Sequence, residues 1–191
     1  VLQEQHRVIA SEGGLEQALG VVRRGRQDDP EARKMGEDRV IAAGVMRGGG
    51  ASRIALPEGC LLASEGMNHA AIAICSRLRD LGYVARDLKT LVVRESKRGD
   101  ALLAILYAKK EHIPEFPVDD VPGLTGFLVF HSTEKSPASV ATKALWRWGS
   151  DILTERVGGL DIRYSWDSFF QNNVPMFETA TLVIDAESGS G

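Results

Sequence analysis

The chain has 191 residues, enough for one sizeable domain or for one domain with part of a second. Its balance of 43% hydrophobic, 26% charged and 6% aromatic residues is that of a globular protein and excludes a disordered or fibrous one. A formal charge of -3 argues against a surface that grips nucleic acid all over, since Lys and Arg make the phosphate contacts, but it leaves room for a local basic patch.

The stretch from Val1 to about Gly50 is poorly periodic, carries Gly13-Gly14 and Gly48-Gly49-Gly50, and reads as irregular strands and loops. Val1 to Ser11 has no basic segment followed by an apolar one, so no secretory signal is readable, and no later apolar run approaches the roughly 18 residues of a membrane-spanning helix. A cytoplasmic setting without a membrane is the expectation. Arg23, Arg24 and Arg26 are a candidate phosphate contact, or else a solvated turn.

Periodicity sharpens after Leu56-Pro57-Glu58-Gly59. Met67, Ala70, Ala71, Ile74, Leu78 and Leu81 recur at intervals of three and four, which predicts an amphipathic helix over 63–81 with Ser64 as N-cap and Gly82 as stop. Leu91-Val92-Val93 and Ala101 to Tyr107 are β-type runs separated by a charged segment with Gly99, which predicts a hairpin. Gly126 to Phe130 is a third strand, after a turn with Pro122 and Gly123. A helix lying on a small antiparallel sheet, an α+β fold, is the economical arrangement.

Few residues here advertise chemistry. There is no P-loop, His-Glu-x-x-His, Gly-x-Ser-x-Gly or Cys-x-x-Cys, and His6, His69, His112 and His131 lack ligand-like spacing. Cys60 and Cys75 are too few for a disulfide framework. Cys60 is expected just ahead of the helix, Cys75 on or beside its buried stripe, and the two unbonded.

Three segments, in order, nevertheless resemble the 5-methyluridine RNA methyltransferases. Arg53 to Leu62 is similar to the stretch in which a cysteine, here Cys60, follows a strand and precedes a helix; Leu88 to Ser96 and the strand after it resemble the hairpin of the central domain. The most specific is Ile162-Arg163-Tyr164-Ser165-Trp166-Asp167-Ser168-Phe169-Phe170-Gln171-Asn172-Asn173, which looks like the family's Ser-Phe-x-Gln-x-Asn signature at the entrance to the methyltransferase domain. The tail from Leu182, with Asp185, Gly189 and Gly191, resembles the first strand and glycine loop of a Rossmann-like methyltransferase domain, and Ser188 to Gly191 reads equally as a linker. Asn173 to Thr181 is shorter than the helix the family usually carries there.

The resemblance spans roughly Gly44 to Glu178 and implies a central RNA-associated α+β domain over 1–160, with the truncated opening segment of a methyltransferase domain over 161–191. It implies S-adenosylmethionine as cofactor and tRNA or rRNA as partner. In iron-sulfur members Cys60 would be the fourth cluster ligand; the upstream cysteine cluster that supplies the other three is absent here, so a cluster is expected only in a longer protein. Attack of a cysteine thiolate on uracil carbon 6, methyl transfer to carbon 5 and proton removal by a carboxylate are the implied chemistry. The family places that cysteine and carboxylate beyond the cofactor fold, so the chain as given is expected to lack the catalytic half and to be inactive alone.

The physics of the third motif is independent of the resemblance. Each unpaired buried donor or acceptor on a uracil edge costs about 1–3 kcal/mol, and a Gln amide supplies both partners at once. An extruded base also needs an apolar wall, which Phe169 or Phe170 would provide. The bland alternative makes the phenylalanines core residues and Gln171 and Asn173 caps of a helix begun by Pro175. A rival of another class is a non-catalytic RNA-binding or accessory domain in which Lys89, Arg94, Lys97 and Arg98 hold RNA without chemistry.

Overall fold

A computed structural model describes residues 60, 63–96, 98, 100–133, 135–136, 140–170 and 174–180, and the backbone of three short strands before them. Helix α1 (Glu65–Asp80) forms on the predicted periodicity. The Ser64 hydroxyl accepts from the Met67 N–H at 3.1 Å, satisfying one of the donors that a helix start leaves open. At the far end Gly82 takes φ +82°, and the N–H groups of Gly82 and Tyr83 reach Arg79 O and Leu78 O at 2.8 and 2.9 Å. This Schellman closure satisfies the last carbonyls. Met67, Ala70, Ala71, Ile74, Cys75 and Leu78 are buried, whereas Leu81, expected at the end of the stripe, is the C-cap and 45% exposed.

Strands β4 (Leu88–Ser96) and β5 (Ala101–Ala108) pair antiparallel as the expected hairpin. The small antiparallel sheet does not hold, because β6 (Leu124–His131) runs parallel to β5 and the sheet is mixed. The cause is the connection over 109–123. A parallel neighbour needs a crossover of about a dozen residues, and this one buries Ile113, Phe116, Val118 and Val121 in the same core as α1 while returning the chain to the starting end of β5. β7 (Lys143–Gly149) comes back antiparallel on β6, and β1 (Gln17–Gly20) adds to β4, giving the order β1-β4-β5-β6-β7. β2 (Gly44–Met46) and β3 (Arg53–Ala55) make a separate antiparallel ribbon.

The second face of the sheet is covered by a hairpin that the sequence reading did not foresee, β8 (Ile152–Val157) and β9 (Leu160–Ser165). Its two-residue turn, Gly158-Gly159, has φ +57° and +85°, the pair of positive values that a tight type I′ turn requires. The chain reaches this face by folding over at β7, where a Cβ on Gly126 would lie 1.8 Å from the Ser150 carbonyl oxygen. Leu153 then packs with Val92, Leu103, Ile105, Tyr107 and Leu128 in a core of its own. The result is α+β in three layers, with α1 and the crossover on one side of the mixed sheet and the hairpin on the other. The division suggested at 160/161 falls beside the turn of this hairpin, whose two strands pair throughout.

Candidate functional site

The segment that follows β9 carries the Ser-Phe-x-Gln-x-Asn motif, and its approach is held from below by the sheet. Along β4 the side chains alternate: Leu91 and Val93 join the α1 core, while Val92 joins the hairpin core and Arg94 and Ser96 bond to the hairpin layer. Arg94 is 5% exposed and donates to Ser165 O at 3.2 Å, Trp166 O at 2.7 Å and Ser168 O at 2.7 Å. One buried guanidinium thus takes three carbonyls of a four-residue turn. Within the turn the Ser165 hydroxyl donates to Asp167 Oδ1 at 2.6 Å and lies 2.6 Å from Ser168 Oγ, and Trp166 N–H donates to Asp151 O at 3.0 Å.

Aromatic rings reinforce the same turn. Trp166 packs on Phe130 at 4.6 Å, and Phe130 stacks on Tyr107 at 5.9 Å. Phe170 lies face to face with Tyr164, centroids 4.2 Å apart and planes 4° apart, while the Arg94 guanidinium carbon is 5.4 Å from the Tyr164 ring centre. Burial pushes the Tyr164 hydroxyl up to about 12, against a smaller lowering by Arg94, so the ring stays neutral at any physiological pH. Phe169 is different: it is 69% exposed beside its stacked neighbour.

Past the motif, residues 174–180 are helical, Val174 is buried and Glu178 closes a second clamp. Its carboxylate accepts Arg98 Nη1 and Nη2 at 2.5 and 2.8 Å and the Gly158 N–H at 2.7 Å, tying this helix to both hairpin turns. The buried Glu155 carboxylate supports the same corner, accepting the N–H groups of Arg98 and Arg156 at 3.1 Å each.

Of the nominated site residues, the structure brings Phe169 and Phe170 together on this anchored turn and distinguishes them. Gln171 and Asn173, and the expected cofactor loop Asp185, Gly189 and Gly191, lie outside the described residues, as do Arg23, Arg24, Arg26 and Lys97. Cys60 is elsewhere. Its backbone N–H and carbonyl are both bonded by the Asn68 side chain of α1, on the opposite side of the sheet, at 2.8 and 3.0 Å. Both cysteines are free and buried, as expected, and among the described residues no group of three or more His, Cys, Asp or Glu is gathered to hold a metal.

Three of the basic residues of the rival RNA-holding reading make bonds within the chain. Arg94 is turned into the protein, and Lys89 donates to Ser132 Oγ at 3.1 Å, Ser136 O at 2.8 Å and the carbonyl of Thr133. Arg98 forks onto Glu178 and also reaches Arg156 O at 2.9 Å. Each of these three side chains is thus engaged within the chain, Arg98 by a carboxylate and Lys89 and Arg94 by hydroxyl and carbonyl oxygens. The signal that would have identified Arg94 is its place in Leu91-Val92-Val93-Arg94, since a charge inside an apolar strand is kept only where buried acceptors await it.

No profile of a known protein family matches the chain. Among curated proteins it is similar to an uncharacterised RNA methyltransferase of Lactobacillus johnsonii, 26% identical over 123 aligned residues, covering 55% of this chain and 27% of that protein. Among solved structures it superimposes on the Pyrococcus abyssi tRNA (uracil-54, C5)-methyltransferase, determined with S-adenosyl-L-homocysteine, with a TM-score of 0.59. That match is 16% identical and covers 69% of this chain and 34% of the other, so the likeness is one of fold. The chain therefore spans about a quarter to a third of the length of these relatives.

In sequence the chain is similar to an RNA methyltransferase over about half its length, and in fold to part of a tRNA methyltransferase. The three ordered motifs are those that resemble the 5-methyluridine enzymes.

Proposed function

We propose that the chain is the RNA-associated part of an S-adenosylmethionine-dependent uracil-5 methyltransferase acting on tRNA or rRNA, with the segment from Phe169 to Asn173 facing the target base. One observation carries the reading: Phe169 stands 69% exposed directly after a turn whose carbonyls at Ser165, Trp166 and Ser168 are held by Arg94, two residues before Gln171. An exposed phenylalanine on a fixed backbone is the wall a uracil removed from its stack requires. Phe170 is already stacked on Tyr164 and serves the scaffold. Gln171 would then meet the polar edge of the base, giving and accepting a hydrogen bond at once.

The relatives' cofactor would supply the methyl group. Asp185, Gly189 and Gly191, the residues that the resemblance gives to the cofactor loop, lie outside the described residues. The thiolate and the carboxylate base implied by the resemblance belong to the remainder of a longer enzyme, and the 191-residue chain alone is expected to transfer no methyl group to RNA. Against the accessory RNA-binding alternative stand the buried Arg94 and the Lys89 ammonium, which bonds oxygens of Ser132 and Ser136.

The test is Gln171→Leu in the complete enzyme. Loss of one buried polar pairing costs about 1–3 kcal/mol, so methylation of a uridine-bearing RNA should fall roughly ten- to a hundredfold while the melting temperature stays nearly constant. Unchanged methylation with a lowered melting temperature would make Gln171 a structural cap.

A further inference from the structure

The segment proposed to face the base is fixed at both ends by the same β4–β5 hairpin. Upstream, Arg94 gathers the carbonyls of Ser165, Trp166 and Ser168, and its guanidinium lies near Tyr164, on which Phe170 stacks. Downstream, Arg98 forks onto Glu178 of the helical residues 174–180. Residues 171–173 join these two anchored flanks.

We propose that Arg94 is a positioning residue for the base-facing segment, fixing the backbone that carries Phe169 and leads into Gln171, with Arg98 holding the far flank. The inference rests on the function proposed above. A guanidinium is a planar fork of five N–H donors, so three bonds to carbonyls of one turn specify a single arrangement of that turn. An apolar side chain at position 94 would fill the same space between Val92 and Ser96 but would leave the turn free to adopt other conformations. A lysine keeps the charge and three donors without the planar geometry. Arg94 touches neither base nor cofactor in this scheme; it acts through the turn.

The experiment uses the complete enzyme, a uridine-bearing RNA and labelled S-adenosylmethionine. Misplacement of a substrate-contacting group by about 1 Å is enough to cost roughly a hundredfold, so Arg94→Met should lower kcat about ten- to a hundredfold with the KM for S-adenosylmethionine unchanged, and Arg94→Lys should fall between. Because both residues act on one contact, adding Arg94→Met to Gln171→Leu should cost much less than the product of the two single effects. An unchanged kcat per folded molecule with a lowered melting temperature, or effects that multiply, would overturn the proposal. Should Arg94→Met fail to fold, Arg98→Met, at a more exposed side chain, carries the test for the other flank: a severalfold loss of kcat supports the two-ended anchor and an unaltered kcat removes it. A wild-type enzyme that methylates no uridine defeats the proposed function itself, whereas normal wild-type methylation with an unaffected Arg94→Met rate defeats the positioning role alone.

Discussion

The two faces of the five-stranded sheet are built on different chemistry. On the α1 side Ile74, Leu78, Leu91, Val93, Leu106 and Phe127 are buried in a continuous apolar core, with Trp146 edge to face on Phe116 and Phe127 at 5.3 and 5.2 Å. On the other side a smaller apolar core is surrounded by hydrogen bonds from β4 and its turn to main-chain oxygens of the β8–β9 layer, including Ser96 Oγ to Thr154 O at 2.5 Å. Apolar packing is non-directional and scales with area, whereas a hydrogen bond to a carbonyl fixes one strand against another. The first face therefore contributes most of the stability, and the second determines where the segment at Phe169 sits.

The largest expected effect tests how closed the α1 face is. Cys75 is 4% exposed and burial raises its thiol to about 11, so it has neither access nor thiolate character at neutral pH. Its reaction with a soluble disulfide reagent should be slower than in the denatured chain by about a thousandfold or more, reporting the population of opened molecules. A Cys75 that reacts within a few-fold of the denatured rate would show that the helix is loosely seated. Ile74→Ala strikes the same layer: Ile74 is fully buried, and truncation of such a residue costs about 2–5 kcal/mol, to be read from the urea midpoint at constant slope.

The hairpin face should answer more gently. Ser96→Ala removes the hydroxyl that reaches Thr154 O and leaves a carbonyl without that partner, a loss of about 1 kcal/mol in chemical unfolding. What sharpens the comparison is the site readout. In the complete enzyme Ser96→Ala should reduce methylation per folded molecule, while Ile74→Ala should reduce only the folded fraction. If both substitutions affect stability alone, the division of labour between the faces is wrong.

The same division decided how much could be read from the chain. α1 was legible because its stripe, its Ser64 cap and its Gly82 stop are local signals that agree with one another. The β4–β5 hairpin was legible for the same reason. The direction of β6 was not, since it depends on a crossover whose buried Ile113, Phe116 and Val118 sit among prolines in no helical or strand-like period. β8 and β9 were missed because Thr154, Glu155, Arg156, Asp161 and Arg163 make them look like a solvated stretch, although Gly158-Gly159 between them was a turn signal available to be used. At the site, the motif from Ser168 to Asn173 could be picked out by resemblance. The anchor could not, because Arg94 stands 71 residues before the first carbonyl it binds, and only the fold makes them neighbours.

The smallest effect concerns the clamp on the far flank. The Arg98 fork, and after it the Gly158 N–H, hold the Glu178 carboxyl below the usual carboxylate range. For a group whose folded value is depressed, the stabilisation is complete above the unfolded value of about 4.3 and is lost as pH falls through the lower folded value. Glu178→Gln has no such dependence. The melting temperature of wild type should exceed that of Glu178→Gln at about pH 6, and the gap should close as the pH is lowered toward about 3. The gap should be small, because the pair is partly open to water, and should shrink in high salt, which screens exposed charges. A gap that keeps its size across this range would mean that Glu178 is not held by Arg98, and the hairpin would then fix the segment at one end only.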